Sequence, residues 1–303
     1  SGKSFGGADR ESISSIKYNA PLQYIAQNRA VTADDYKTLI YNRIPNIKSI
    51  TVWGGEENDP PQYGKVFISV RKHLENNSTD DFLNDMEKQE ILSYLNDKKV
   101  LSIIPEIIDP EYVNVVLDVL FKYNRNLTTY TQVQLENLVK QSVTKFNNEY
   151  LDSFDGVFRH SMLSKIVDST SPSILNSHIR VYVSKTVQLI SGSPQSKTLK
   201  YGVALTVDDD IAIVNSTGWT YEGITYYIGD ESDAKSNDFR NLYVYYYDSD
   251  NKPVIRERNI GKIQLSTGLV EIGQLLTDED TSITLDLIPL SNDIAPKRNQ
   301  LVR

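Results

Sequence analysis

The chain has 303 residues, 39% hydrophobic and 24% charged, which fits a folded protein of about two domains and not a disordered one. Its 40 acidic residues outnumber 32 basic ones, a net charge of −8 that argues against non-specific nucleic-acid binding. Cysteine is absent, which excludes disulfide frameworks, thiolate zinc sites, iron–sulfur clusters and cysteine nucleophiles.

No run reaches the ~20 apolar residues of a membrane-spanning helix; Val113–Phe121 is interrupted by Asn114 and Asp118. The sequence opens Ser-Gly-Lys without Met, as a piece of a longer chain does. Residues 1–30 read as a leading segment that lies against something else, with Pro21 breaking any long helix. Thr32 and Asp35 form a capping-box pattern, and Tyr36, Leu39, Ile40 and Ile44 follow at helical spacing until Pro45. Ile47–Trp53 then reads as a strand, 54–63 as a Gly/Pro loop and Lys65–Lys72 as a second strand. The cluster Ser78–Asp81 predicts an N-cap for a helix running to about Asn96. Leu101–Ile108 and Tyr112–Lys122 are strand-like, punctuated by Pro105 and Pro110. Thr131–Asn147 carries the best helical stripe: Leu135, Leu138, Val139, Val143 and Phe146. A shorter helix near Phe158–Asp168 and a strand at Ile179–Lys185 complete this part.

Strand-then-helix order occurs at 65–96 and again at 113–147, a weak internal repeat. Near residue 186 the chain changes character. Short alternating runs separated by Gly, Asp, Asn and Ser replace helices, and 11 Lys and Arg face 17 Asp and Glu over 186–303. The expected fold class is α+β: helix-covered mixed sheet units in 31–185, followed by an all-β, sandwich-like domain over 186–303.

Chemical motifs are few. Gly2-Lys3-Ser4 has the end of a P-loop but neither the upstream glycine nor a good helix start after it. His73, His160 and His178 lack metal-ligand spacing, and no G-x-S-x-G elbow occurs. The acidic runs Asp208–Asp210, Asp230–Asp233 and Asp278–Asp280 miss calcium-loop spacing and read as solvated turns, and Asp248–Asn251 as a hairpin turn. A hydrolase would need two of these carboxylates ~5–9.5 Å apart in a cleft. No cofactor or metal is expected, and no enzyme.

The tyrosines stand out: 19, against 8 Phe and 2 Trp. Seven fall between 221 and 247. Trp219, Tyr221, Tyr226, Tyr227, Tyr243, Tyr245 and Tyr247 are the candidate partner contact, because tyrosine supplies large area at modest entropy cost. On a strand, Tyr243, Tyr245 and Tyr247 share one face and Tyr246 points the other way. The plain alternative is that tyrosine suits strands and one face is core; carbohydrate binding is a third use.

The run Gly6, Gly7, Asp9, Glu11, Ser12, then Arg29-Ala30-Val31-Thr32 with Asp35 and Tyr36, then Pro45 and Ile47, resembles the J-like baseplate proteins of contractile phage tails. The resemblance covers about 6–185, and the Arg-Ala-Val-Thr block is its most specific part. The tyrosine-bearing extension fits the larger members of that family, which build the inner ring. The resemblance implies a structural protein of the virion tail baseplate, present in the host cytoplasm during assembly. Its partners would be itself, as a homodimer and in a ring around the hub, and other wedge proteins, with no nucleic acid and no membrane. It implies a part in the shape change that triggers sheath contraction and carries over no catalytic residue. The alternative function is a carbohydrate- or receptor-binding tail protein using the tyrosine strands.

Overall fold

The computed structural model describes residues 13, 17, 21 and 28–303, except 45, 59, 74–80, 152, 209, 210 and 234. The Gly2-Lys3-Ser4 motif, the Gly6–Ser12 run, Pro45 and the proposed Ser78 cap lie outside the described residues. The chain is α+β and divides into two compact units. The first comprises 1–112, 153–155 and 296–301; the second comprises 113–152, 156–295 and 302–303.

In the first unit, α1 (Ala33–Arg43) begins at the predicted box: Thr32 Oγ1 accepts from Asp35 N–H, and the Asp35 carboxylate accepts from Thr32 N–H. Tyr36, Leu39 and Ile40 are its buried stripe. Strand β1 (Ile47–Gly54) pairs antiparallel with β2 (Lys65–Lys72), which runs parallel to β3 (Ile104–Ile107). The crossover from β2 to β3 contains α2 (Asp85–Asn96). Its N-cap is Asn84, which makes its own capping box with Glu87, not the Ser78–Asp81 cluster. Leu39, Ile40, Ile50, Ile68, Ile91 and Leu95 meet in one apolar cluster. Strand β2 buries both faces: Ile68 and Val70 join that cluster, while Phe67 stacks on Trp53 at 5.7 Å. The loop after β1 turns tightly on Gly55, whose carbonyl accepts from Asn58 and Gln62 N–H; a Cβ there would sit 1.9 Å from the Gln62 carbonyl oxygen.

In the second unit, β4 (Glu111–Tyr123) pairs antiparallel with β5 (Ile174–Leu189), and α3 (Gln132–Phe146) and α4 (His160–Ser169) lie between them in sequence. The strands after β5 are β6 (Gln195–Lys200), β7 (Val214–Ser216), β8 (Trp219–Tyr221), β9 (Ile224–Ser232), β10 (Phe239–Tyr247), β11 (Pro253–Gln264), β12 (Leu269–Leu275), β13 (Thr281–Leu287) and β14 (Gln300–Val302). A five-stranded sheet has the order β14-β4-β5-β13-β7, and a six-stranded sheet the order β6-β12-β11-β10-β9-β8. Side chains from both sheets and both helices share one core, with Val139, Leu163, Val183, Leu242, Ile263 and Leu285 among its buried members. The composition change at 186 falls inside β5, and β4 and β5 share their sheet with β13 and β7 from the β-rich part. His178, expected just before a strand, lies within β5.

A buried ion pair links the segment before β7 to the β9–β10 hairpin. Arg240 Nε donates to Asp230 Oδ2 at 2.5 Å, with side chains only 4% and 0% exposed. Asp230 Oδ1 also accepts from Ile213 and Val214 N–H, and the Arg240 guanidinium donates to the Asp208 and Ile211 carbonyls. Asp230 is therefore no solvated turn residue; it sits in β9.

Two stability outcomes follow from these cores. Leu39→Asp places a charge in the α1 stripe and costs at least the about 2–5 kcal/mol of a buried Leu→Ala change; a urea transition unchanged from wild type overturns the helix face. Asp230→Ala strands the Arg240 guanidinium and costs about 3–5 kcal/mol, with partial recovery on adding Arg240→Leu. With Trp53 replaced by Phe, the fluorescence of Trp219 follows the second unit alone, because these are the chain's 2 tryptophans.

Candidate interaction surface

The β9–β10 hairpin sorts the aromatic residues by strand alternation. Tyr226, Ile228, Leu242 and Val244 point into the core, with half-buried Tyr246 packed against it. Tyr227, Tyr243, Tyr245 and Tyr247 form the opposite face. The seven predicted residues therefore split. Trp219 and Tyr226 are core, 6.1 Å apart between ring centroids, and half-buried Tyr221 packs beside them. Trp219 is fixed by its indole N–H donating to the Leu276 carbonyl at 3.0 Å. As predicted, Tyr246 points to the other face from Tyr243, Tyr245 and Tyr247; that face is the core, where it meets Tyr226 edge to face at 5.9 Å.

The four outward rings are one connected layer. Tyr227 lies 5.5 Å from both Tyr245 and Tyr247, and Tyr245 lies 5.9 Å from Tyr243 and 5.6 Å from Tyr247. Tyr243 stands across from Gly229, and a Cβ on that glycine would meet the ring at 2.6 Å. The missing side chain lets the tyrosine lie flat over the neighbouring strand. Burial, then the neighbouring tyrosines, pushes the Tyr245 hydroxyl up to about 12. Burial, then the Asp230 and Glu231 charges, raises Tyr243 as well. Tyr243 and Tyr245 therefore offer neutral hydroxyls at physiological pH, bordered by the Glu231–Arg258 ion pair.

Sequence reasoning missed Arg256, whose guanidinium lies 4.6 Å from the Tyr226 ring and 5.4 Å from the Tyr221 ring. The Arg-Glu-Arg run at 256–258 was its only signal. Also missed was a groove of about 670 Å³ between β4 and α3, lined by Leu117, Val119, Phe121, Glu136, Val139 and Lys140, among others.

The other carboxylates serve turns. Asp248 accepts from Asp250 and Lys252 N–H, which makes 248–251 the predicted hairpin turn. Asp278 accepts from Glu222 and Gly223 N–H, and Asp280 from Ser191 N–H. Asp209 and Asp210 lie outside the described residues. Among the described residues, no group of three His, Asp or Glu side chains could hold a metal, and no helix is long and apolar enough to cross a membrane. His160 Nε2 bonds the Ile179 carbonyl at 3.1 Å, while His73 and His178 are exposed.

Comparisons with known proteins identify the family. A family model described as "Baseplate structural protein gp6, C-terminal domain I" matches residues 32–108, and one described as "Baseplate structural protein gp6, C-terminal domain III" matches 111–186. The chain belongs to the gp6 family of baseplate structural proteins. It is 24% identical over 191 residues to "Baseplate wedge protein gp6" of Enterobacteria phage T4, a stretch that makes up 63% of this chain and 28% of that relative. The chain thus spans less than a third of the relative's length. A solved structure titled "Cryo-EM structure of the anti-feeding prophage (AFP) baseplate, 6-fold symmetrised" aligns with a TM-score of 0.41 and 13% identity, over 58% of this chain and 38% of that one. The family models and the phage T4 relative are described as baseplate proteins, and the models as structural ones. The boundary between the two family models, 108 to 111, falls close to the boundary between the two compact units. Thr32 of the Arg-Ala-Val-Thr run and Asp35 form the cap of α1, and Tyr36 is its first buried residue.

At that same boundary, Arg71 Nε donates to Asp81 Oδ2 at 2.7 Å, and the Tyr112 hydroxyl donates to the same oxygen. Burial pushes the Asp81 carboxyl up, but these two donors outweigh it and hold it below the usual carboxylate range. A depressed folded-state value contributes stability that is present above the unfolded value of about 3.9 and lost as pH falls through the folded one. Asp81→Asn should therefore be less stable than wild type at neutral pH, with the gap closing below about pH 4 in urea titrations. A gap independent of pH would contradict the ionised pair.

Proposed function

We propose that this chain is a structural component of a contractile phage tail baseplate. In this reading it pairs with a second copy of itself, joins other wedge proteins into a ring around the hub and takes part in the shape change that triggers sheath contraction. The observation that carries the proposal is the pair of consecutive gp6 domain matches across 32–186. The fold supports it: Asp230, Asp248 and Asp278 of the acidic runs are engaged in an ion pair and in separate turns, and the outward tyrosines form a surface.

The partner contact belongs to the outward set alone, Tyr227, Tyr243, Tyr245 and Tyr247, because Trp219 and Tyr226 are buried. A protein partner suits this layer better than a sugar. The rings already stack on and cross one another, so what they present is a broad neutral surface with hydroxyl donors and not a free ring face.

Immunogold labelling of particles from the source phage should place the label at the baseplate end of the tail. Label on the capsid alone, or in no particle, overturns the assignment. Tyr245→Ala should weaken capture of other wedge proteins while leaving thermal unfolding within a few degrees of wild type. Specific glycan binding lost in the same variant would move the assignment to the carbohydrate reading.

A further inference from the structure

The edge of β4 has an uncommon property: read antiparallel against itself, it is self-complementary. Strand β14 covers only the start of this 13-residue strand. Val115 N–H donates to the Arg303 carbonyl, and Arg303 N–H donates to the Val113 carbonyl. Odd-numbered residues therefore direct their backbone groups towards this edge, and even-numbered ones towards β5. Beyond Val115, no strand among the described residues lies beside the edge. Leu117, Val119, Phe121 and Tyr123 thus present a row of open N–H and C=O groups above the groove that α3 borders. Leu120, on the opposite face, is 55% exposed.

We infer that residues 117–123 form an antiparallel strand pair with the same residues of a second copy, centred on Leu120, joining two five-stranded sheets across a twofold axis. The register comes from the residues. Only odd residues can exchange hydrogen bonds on this edge, so the twofold must fall on a residue and not between two. Centred on Leu120, the pairing sets Asp118 across from Lys122 of the second copy, twice by symmetry. It also sets Val119 on Phe121, Leu117 on Tyr123 and Leu120 on Leu120. Centred on Val119 it would set Asp118 against Leu120, and centred on Phe121 it would set Leu120 against Lys122. Asp118 and Lys122 are both exposed, and Asp118 faces Arg180 on its β5 side without an ion pair between them. Charges on an edge usually keep other strands away; here their opposite signs, two residues either side of Leu120, favour an antiparallel copy. The added strand also sets its own Val119 and Phe121 into the groove beside α3.

This inference rests on the homodimer reading and gives it a surface. Sedimentation of the full chain should show a species of twice 34.4 kDa. Asp118→Lys and Lys122→Asp should each weaken association at least tenfold with thermal unfolding unchanged, and the double swap should restore it. Leu120→Cys, the chain's sole thiol, should form a covalent dimer on mild oxidation, whereas Leu290→Cys, at a site 58% exposed, should not. A dimer indifferent to both charge changes, or a double swap that fails to rescue, overturns the β4 contact and leaves the homodimer standing. A chain that stays monomeric overturns both.

Discussion

The Asp230–Arg240 pair is the constraint from which much of the second unit follows. Burying two charges costs several kcal/mol each unless geometry and further hydrogen bonds compensate. Here they do: the carboxylate accepts from the guanidinium and from two backbone N–H groups, and the guanidinium also donates to two carbonyls. All four backbone partners lie in the segment running from Asp208 to Val214, which enters β7 of the five-stranded sheet. The pair itself stands in β9 and β10 of the six-stranded sheet. One ionic contact therefore fixes how a connecting segment is held against the hairpin. Ser216 repeats the device one step on, accepting from Ile228 N–H at 2.7 Å.

The same hairpin carries the tyrosine layer, and the two features share one register. Because Asp230 and Leu242 must face inward, Gly229 and Tyr243 must face outward, as must Tyr227 and Tyr245. A slip of one residue would expose the ion pair and bury four hydroxyls, so the buried charges are a strong term against misregister. The tyrosine count is thus two separate facts: an inner set that packs with Trp219, and an outer set that the inner pairing obliges to face out.

What was legible in the sequence was local. Thr32 with Asp35, and Thr131 with its stripe, announce helices because caps and periodicity act within a few residues. Asp248–Asn251 announces its turn for the same reason, as side-chain bonds to nearby backbone favour it. What was not legible was pairing at a distance. Strand β11 reads as two short runs, Val254–Asn259 and Lys262–Gln264, yet it is one strand that bulges where it passes Leu242 to Tyr245 of β10. The helix after β2 starts from the local Asn84–Glu87 box, while Asp81, read as part of its cap, is engaged instead by Arg71 and Tyr112, partners on other strands. Asp230 looked solvated because an acidic cluster says nothing of an arginine on the next strand.

Sheet edges sharpen the comparison between the two halves of the second unit. An exposed edge invites pairing unless it is short or charged. Strands β7 and β8 are three residues each, and β6 carries Lys197 and Lys200. Each is the kind of edge that stays solitary. Strand β4 differs: it continues past β14 with a row of apolar side chains against α3, where core packing requires them. The apolar side chains at 117, 119 and 121 are thus set from inside the unit, leaving Asp118, Leu120 and Lys122, which face away from the core, free to answer to association. The opposite signs of Asp118 and Lys122 are what a self-pairing edge needs. Two like charges at those positions would have protected the strand equally well as a monomer, so monomer solubility alone does not account for the pattern.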